Sequence, residues 1–239
     1  MRRNGKKREE GGPRLSIIVP TLNEAAGIVA SLQALVALRA RAVEVIVADG
    51  GSKDGTTELC RPYCDRVVTC GRGRGRQMNA GAREARGEVL LFLHADVQLP
   101  PDADRLILRA VGAGSRVWGR FDVELSGAHR LFRLIAFMMN LRSRLTGVAT
   151  GDQAMFVTRS AFESVGGFPE IALMEDVEMS VRLKRLSRPL RLSARVRVSS
   201  RRWERHGILR TTLLMWRLRL CHFFGADPDR LARLYSGGS

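Results

Sequence analysis

The sequence predicts an α/β fold with a mostly parallel central sheet and a C-terminal helical extension, and three observations carry that expectation. Short apolar segments alternate with helix-patterned ones across residues 15–93, the signature of strand–helix repetition. The segment 88–93 is nearly all apolar, as a strand covered on both faces must be. Polar residues stand directly behind the apolar segments: Asn23, Glu24, Asp49, Asp54 and Asp96. In a parallel sheet they gather at one edge, where open α/β sheets take their ligands.

Each element follows in order. Residues 1–13 are polar, end in Gly-Gly-Pro and read as a disordered basic tail. Residues 15–19 are the first strand, stopped by Pro20. Thr21-Leu22-Asn23-Glu24 has the form of a capping box and opens an Ala/Leu-rich helix to about residue 38. The second strand, 43–48, runs into Asp49-Gly50-Gly51-Ser52-Lys53-Asp54-Gly55-Thr56, a turn-rich loop that opens a helix near 56–61. Residues 66–69 are a third strand. The Gly/Arg loop 72–76 leads into a helix through residue 85, and the fourth strand follows at 88–93. Helices are predicted over 102–110, 131–141 and 176–186, and strands near 116–125, 154–158 and 190–198. Residues 208–224 have the pattern of an amphipathic basic helix, with a short last helix over 227–235. The chain therefore divides into a tail, a domain over 14–206 and an extension over 207–239, without an internal repeat.

A chain of 239 residues is long enough for a real core, and 45 % hydrophobic with 27 % charged residues excludes general disorder. No apolar run approaches the ~18 residues of a membrane span, and no apolar stretch follows the basic start as in a signal peptide. The expected location is cytoplasmic. The net charge of +16 is uneven: residues 1–14 carry +4, residues 181–239 carry +12, and residues 15–180 are neutral. Basic ends suit nucleic acid, anionic lipid or phosphorylated ligands, yet only four of the forty bases are Lys, so G+C-rich coding explains many arginines equally well. Aromatics are 6 % and form no stacking platform, so no nucleic-acid partner is expected. Cys60, Cys64, Cys70 and Cys221 have spacings that fit neither a zinc knuckle nor a redox pair.

Three acidic features carry possible chemistry. The loop Asp49 to Asp54 reads as a nucleotide contact or as a tight turn. His94-Ala95-Asp96 closes the buried fourth strand, where a carboxylate is costly unless paired or metal-bound; a helix cap is the plain alternative. Glu175-Asp176 opens a helix, where acids are favourable on electrostatic grounds alone.

Their order is more specific than any one of them. Pro20-x-x-Asn23-Glu24, a Gly-Ser-x-Asp-Gly loop, Asp96 behind an apolar strand, and Glu175-Asp176 further on together resemble the family 2 glycosyltransferases of GT-A fold, over about residues 15–206. Gly151-Asp152-Gln153, Gly166-Gly167-Phe168-Pro169, Leu173 to Glu178 and Arg201 to Gly207 resemble a small bacterial branch, the radical-SAM/selenodomain-associated or arsenosugar-type transferases. The resemblance implies metal-dependent, inverting transfer of a sugar from a nucleotide diphosphate sugar to an unidentified acceptor. It implies Asp176 as general base, with Glu175 holding the sugar or orienting the site. It implies Asp96 as ligand of Mn²⁺ or Mg²⁺, completed by His206, which otherwise reads as a surface or packing residue. His94 replaces the first acid of the family's Asp-x-Asp, with Ala95 between, and ligates metal or bonds the ribose. The donor-side set is Pro20, Thr21, Asn23, Glu24 at the ribose, Asp49 at the base, Ser52, Asp54, Arg76, Gln77, Asn79 and Gln153. Arg202 and Trp203 close over the diphosphate, or Trp203 is a core tryptophan.

Two other classes compete. A nucleotidyltransferase would show a Gly/Arg/Lys loop after the first strand, which 20–24 lacks. A non-catalytic basic protein binding anionic lipid or nucleic acid leaves the carboxylates at the strand ends unexplained. Leu209, Leu213, Trp216, Leu220 and Phe223 recur at helical spacing. They read as a helix packed on the domain or on a second subunit, giving a homodimer, or as a peripheral membrane contact over 207–235.

Overall fold

The computed structural model describes residues 12–237; most of the expected tail lies outside them. The strands are β1 (Leu15–Thr21), β2 (Glu44–Asp49), β3 (Arg66–Thr69), β4 (Val89–Phe92), β5 (Val97–Gln98), β6 (Trp118–Leu125), β7 (Phe156–Thr158) and β8 (Leu190–Val198). They form one sheet in the order β3-β2-β1-β4-β7-β6-β8-β5. The pairs β1–β2, β1–β4, β2–β3 and β6–β8 are parallel, while β7 and β5 run against their neighbours. β1, β2 and β4 are buried along their whole length, which is why they read as continuous apolar runs.

The helices are α1 (Ile28–Gln33), α2 (Val36–Arg39), α3 (Thr56–Cys60), α4 (Arg74–Glu84), α5 (Ala103–Gly112), α6 (Arg130–Thr146), α7 (Arg159–Ser164), α8 (Glu175–Lys184), α9 (Arg201–His206), α10 (Ile208–Phe223) and α11 (Pro228–Gly237). Alternate residues of the central strands face two separate cores. Ile17, Val19, Val45, Val47 and Leu91 join Ile28, Leu32, Ile107 and Met139 on one side. Ile18, Ile46, Leu90 and Phe92 join Met78, Phe162, Phe168, Met179 and Leu183 on the other. This period-two division of one strand between two helical layers is the α/β architecture that the sequence predicted.

Beyond its short pairing with β7 at Trp118 and Gly119, β6 meets α6 instead. There the Asn140 carboxamide accepts from Val123 N at 2.9 Å and donates to Val123 O at 3.0 Å, replacing a missing strand. On the same strand the Asp122 carboxylate receives the guanidinium groups of Arg120, Arg144 and Arg191. Burial pushes the Asp122 acid upward, but these three arginines outweigh it and hold it at about 2.

Several local expectations are corrected. Thr21 to Glu24 is no capping box: α1 starts at Ile28 behind Gly27, without a side-chain cap. The side chains of this loop are drawn across to the β2–α3 loop instead. The helix expected to about residue 38 is two short helices, α1 and α2. α6 is longer than expected, and β5, α7 and α9 are short elements that no periodic pattern marked. α10 packs inward through Leu218 and Thr211, with Leu218 clustering with Leu173, Met174 and Leu231. The stripe Leu209, Leu213, Trp216, Leu220 and Phe223 points outward and is exposed; within this chain it does not pack on the domain. Among the described residues no helix is long and apolar enough to cross a membrane.

Candidate active site

The site forms where β1, β2 and β4 end. Asp49 closes β2 and is 1 % exposed. Its carboxylate accepts from Gly51 N at 2.9 Å, Ser52 N at 2.8 Å, the Ser52 hydroxyl and the Thr21 hydroxyl. It organises its own loop as an Asx-type turn. The same loop is laced to the one after β1. Asn23 N donates to Ser52 Oγ, and Lys53 N donates to Asn23 Oδ1. Asp54 accepts from Ala25 N at 3.0 Å and from the Thr56 amide and hydroxyl; these bonds, the Thr56 hydroxyl first, hold its carboxyl below the usual range. Pro20 lies in the buried strand beside Ala48.

Helix α4 was expected to turn Arg76, Gln77 and Asn79 to a nucleotide, and the structure gives each of them a protein partner. Gln77 is buried, and its Nε2 donates to Thr21 O at 2.6 Å and Ala48 O at 3.1 Å, tying the ends of β1 and β2 together. A Cβ on Gly50 would stand 3.0 Å from the Gln77 Cδ, so a second acid beside Asp49 would press on this brace. Asn79 clamps the 166–168 loop by exchanging both its amide groups with Phe168 N and O. Arg76 lies at the surface, paired with Glu170 at 3.0 Å. The arginine that reaches the site is Arg74, with Nη1 3.8 Å from Glu175 Oε1. Its charge also bears on Glu24, His94 and Asp96.

His94 and Asp96 stand behind β4. The hydroxyl of Ser31 holds Ala95 O between them, and Ser199 N donates to Asp96 O at 3.0 Å, joining the β8–α9 loop to this turn. Burial, then the charge of Arg74, holds His94 down at about 4 against the pull of Asp176, so the ring is neutral at physiological pH. It lies against Gly151, where a Cβ would overlap the ring, and its Nδ1 is 3.9 Å from Asp152 Oδ1. Asp96 is exposed, yet desolvation by the protein around it, followed by the charge of Asp152, pushes its acid up to about 6. Glu24, on the rim, is also raised, first by desolvation and then by Asp54, with Arg74 and Arg201 opposing.

The opposite wall is the start of α8, where Met174 adopts a left-handed backbone. Asp176 accepts from Gly151 N at 2.7 Å and from Val177 N at 2.7 Å, so two backbone N–H groups fix its carboxylate. The Glu175 side chain is 3 % exposed. Burial, then the charge of Asp176, pushes its acid up to about 7 against Arg74. Gln153 is fully buried and accepts from Thr150 N through Oε1, a cap for the turn Gly151–Gln153. Trp203 is buried. Arg202 lies in α9, but its side chain is outside what the structure describes. His206 ends α9, and among the described residues no three His, Cys, Asp or Glu groups are gathered as a metal site.

The structure thus brings Glu24, Arg74, His94, Asp96, Asp152, Glu175 and Asp176 together. Sequence reading gave no role to Arg74 or to Asp152, although Asp152 stands within one of the motifs that carried the resemblance. The available signal was weak: Arg74 is the first residue behind Gly73, which caps α4.

Comparison with known proteins places these features. The profile described as glycosyl transferase family 2 matches residues 16–165. An undecaprenyl-phosphate 4-deoxy-4-formamido-L-arabinose transferase of Pseudomonas paraeruginosa is 30 % identical over 151 residues, 58 % of this chain and 44 % of that protein. A probable glycosyltransferase of Bacillus subtilis, YdaM, is 27 % identical over 206 residues, 75 % of this chain and 48 % of that one. The chain spans about half the length of these curated relatives. Among solved structures, a mannosyltransferase of Pyrobaculum calidifontis in complex with GDP-Man and Mn²⁺ superposes with a TM-score of 0.67 at 20 % identity, covering 95 % of this chain and 70 % of that one. S. aureus TarS 1–349 in complex with UDP-GlcNAc gives 0.63 at 19 % identity, over 78 % and 58 %. The fold is the GT-A fold of these glycosyltransferases.

Proposed function

The chain belongs to glycosyl transferase family 2, and from that premise we propose that it moves a sugar, with inversion, from a nucleotide diphosphate sugar to an acceptor. The observation that carries this reading is the carboxylate of Asp176, fixed by two backbone N–H groups opposite Asp96 and Arg74 at the sheet edge. Transfer breaks the bond between the anomeric carbon and the diphosphate and forms one to an acceptor oxygen, with Asp176 taking the acceptor's proton. A base held in one orientation wastes no motion in reaching that proton.

The departing diphosphate gains charge, and stabilising it is the principal task of such a site. Arg74 is the arginine placed for this, its fork matched to phosphate oxygens. A divalent cation would add to this, held at Asp96. The charge of Asp96 is opposed by Asp152 and Glu24 and countered by Arg74, and oxygen donors suit Mg²⁺ or Mn²⁺. Asp96 is its proposed holder, with His206 as second donor and neutral His94 against the nucleotide. When bound, the cation supplies Lewis-acid neutralisation of the leaving diphosphate. The neighbours crystallised with GDP-Man and Mn²⁺ or with UDP-GlcNAc support a donor of this class. Asn23, Ser52, Asp54, Gln77, Asn79 and Gln153 act behind these groups by holding their loops. Membership of the arsenosugar-type branch, and a catalytic domain over 14–206 with an extension over 207–239, belong to the same reading.

The test is Asp176→Asn with a panel of UDP- and GDP-sugars and Mn²⁺, measuring release of free nucleotide diphosphate and, separately, nucleotide binding by thermal shift. Turnover is expected to fall by about 10²–10⁴ while the nucleotide-induced shift survives. Unchanged turnover would remove Asp176 from the base role.

A further inference from the structure

Strands β6 and β8 carry a group of charges that sugar transfer leaves unused. In their parallel register Arg120 stands directly beside Arg191, and like charges at paired positions of neighbouring strands repel. Arg144, from the last turn of α6, joins them. One carboxylate serves all three. Asp122 accepts from Nη1 of Arg120, from Nη2 of Arg144 at 2.9 Å, and from Nε and Nη2 of Arg191 at 3.1 and 2.8 Å. Among the described residues these are the only ion pairs the three arginines make, so three guanidinium groups against one carboxylate leave two positive charges unmatched. Burial pushes Arg120 below its usual range, and the charges of Arg191 and Arg144 add to this, although Asp122 opposes it. The register also shifts between Phe121 and Asp122, the kind of irregularity that re-aims side chains beside a site.

The cluster opens on a cavity of about 290 Å³, lined by Arg120, Ser143, Arg144, Pro189, Leu190 and Arg191. That volume lies near the lower end for small-molecule sites. The side chains of Arg144 and Arg191 are each 41 % exposed, so their charge is open to a ligand. Ser143 adds a hydroxyl, and Pro189 and Leu190 add apolar surface. The cavity stands apart from the candidate active site. A Cβ on Gly147 would meet both Pro189 and Lys184. Lys184 ends α8, whose first turn holds Glu175 and Asp176, and that length of helix separates the two places by roughly 13 Å.

We propose that this cavity is a second ligand site, which binds a small tetrahedral oxyanion carrying two negative charges. The charge of such a dianion equals what the cluster leaves unmatched, and arginine forks suit its oxygens. Its binding relieves the repulsion between Arg120 and Arg191, which Asp122 meets only in part. The oxyanion can be free or carried on a small organic group. The chemistry at the arginines is the same for both, and Pro189 and Leu190 give an organic group a surface to lie on. The site does not depend on the glycosyl-transfer reading, because none of its residues takes part in that chemistry.

The experiment titrates the full chain by calorimetry with inorganic phosphate, glucose 6-phosphate and, as uncharged control, glucose. Wild type is expected to bind at least one of the two phosphates and to ignore glucose. Arg144→Gln should weaken that binding about tenfold, the scale of one lost charge-assisted hydrogen bond. Arg191→Gln makes the same change from a different element and should weaken it similarly, so the test stands if one of the two variants fails to fold. Arg74→Gln, which alters the active-site cleft, should leave phosphate binding within about twofold. Equal affinity for the two phosphates assigns a free oxyanion, and tighter binding of glucose 6-phosphate assigns one carried on an organic group. The proposal is overturned by wild type that binds neither phosphate, by binding unchanged in folded Arg144→Gln and Arg191→Gln, or by binding lost in Arg74→Gln alone, which would place the anion in the active site.

Discussion

Replacing Glu175 by Gln should stabilise the protein above neutral pH and flatten part of its pH profile. The Glu175 side chain is 3 % exposed, and its acid is raised from 4.5 to about 7, by burial first and by Asp176 second. In the unfolded chain the acid releases its proton near 4.5, whereas in the folded protein it keeps it until about 7. Folding therefore takes up a proton between those values, and stability falls as pH rises through that window. The shift, at 1.36 kcal/mol per pH unit, corresponds to about 3 kcal/mol lost in full above pH 7. Asp96, raised to about 6, slopes the same way, and His94, held at about 4, slopes the opposite way between 4 and 6.5. The difference between wild type and Glu175→Gln cancels both to first order. Urea unfolding at pH 4.5, 6 and 8 measures it. Glu175→Gln should be near wild type at pH 4.5 and more stable by on the order of 3 kcal/mol at pH 8. A constant difference across the three values would show that Glu175 is not a buried acid carrying an unfavourable charge.

Two further substitutions probe the frame around the site. Asn140→Ala leaves the Val123 N–H and C=O without their partners, and two buried unmet backbone groups should destabilise by about 3 kcal/mol in urea unfolding; a loss below about 0.5 kcal/mol would mean that β6 closes on itself. Gly151→Ala places a methyl in the ring of His94 and disturbs the N–H that orients Asp176. It should cut turnover at least tenfold, on the scale of a small misplacement of a catalytic group, with a thermal shift by nucleotide that persists; wild-type turnover would show that the turn moves freely away from His94.

The sheet edge was legible in the sequence because its signals are local. An apolar run buried on both faces, followed at once by Asp49 or Asp96, declares both the strand and the end at which its polar residue stands. The partners of those polar residues were not legible. Gln77 reads as one more polar residue on a helix facing the edge, yet its amide is consumed by Thr21 O and Ala48 O, 56 and 29 residues away. That demand arises only when β1 and β2 lie side by side and bring Thr21 O and Ala48 O within reach of one amide. Asn79 is claimed in the same way by Phe168, 89 residues on. The exposed stripe of α10 shows the same limit, since amphipathic spacing defines a face and leaves open what that face meets.

The exchange of Arg76 for Arg74 has a different cause, which is helical phase. Residues two apart on a helix do not share a face, so only one of the two arginines can look into the cleft. Taking 72–76 as loop starts the helix behind Arg76, and the arginine nearest that start is then credited with the ligand. Gly73, with φ of 131°, ends the extended chain earlier and makes Arg74 the first helical residue. The side chains of α4 then divide by that phase: Gln77 lies beneath the ends of β1 and β2, while Arg76 turns out to Glu170. Arg74 is left at the mouth, where its charge reaches Glu24, His94, Asp96 and Glu175 together. A three-residue difference in where one helix begins thus decides which arginine faces the cleft, and a cap glycine with a positive φ is the feature that sets it.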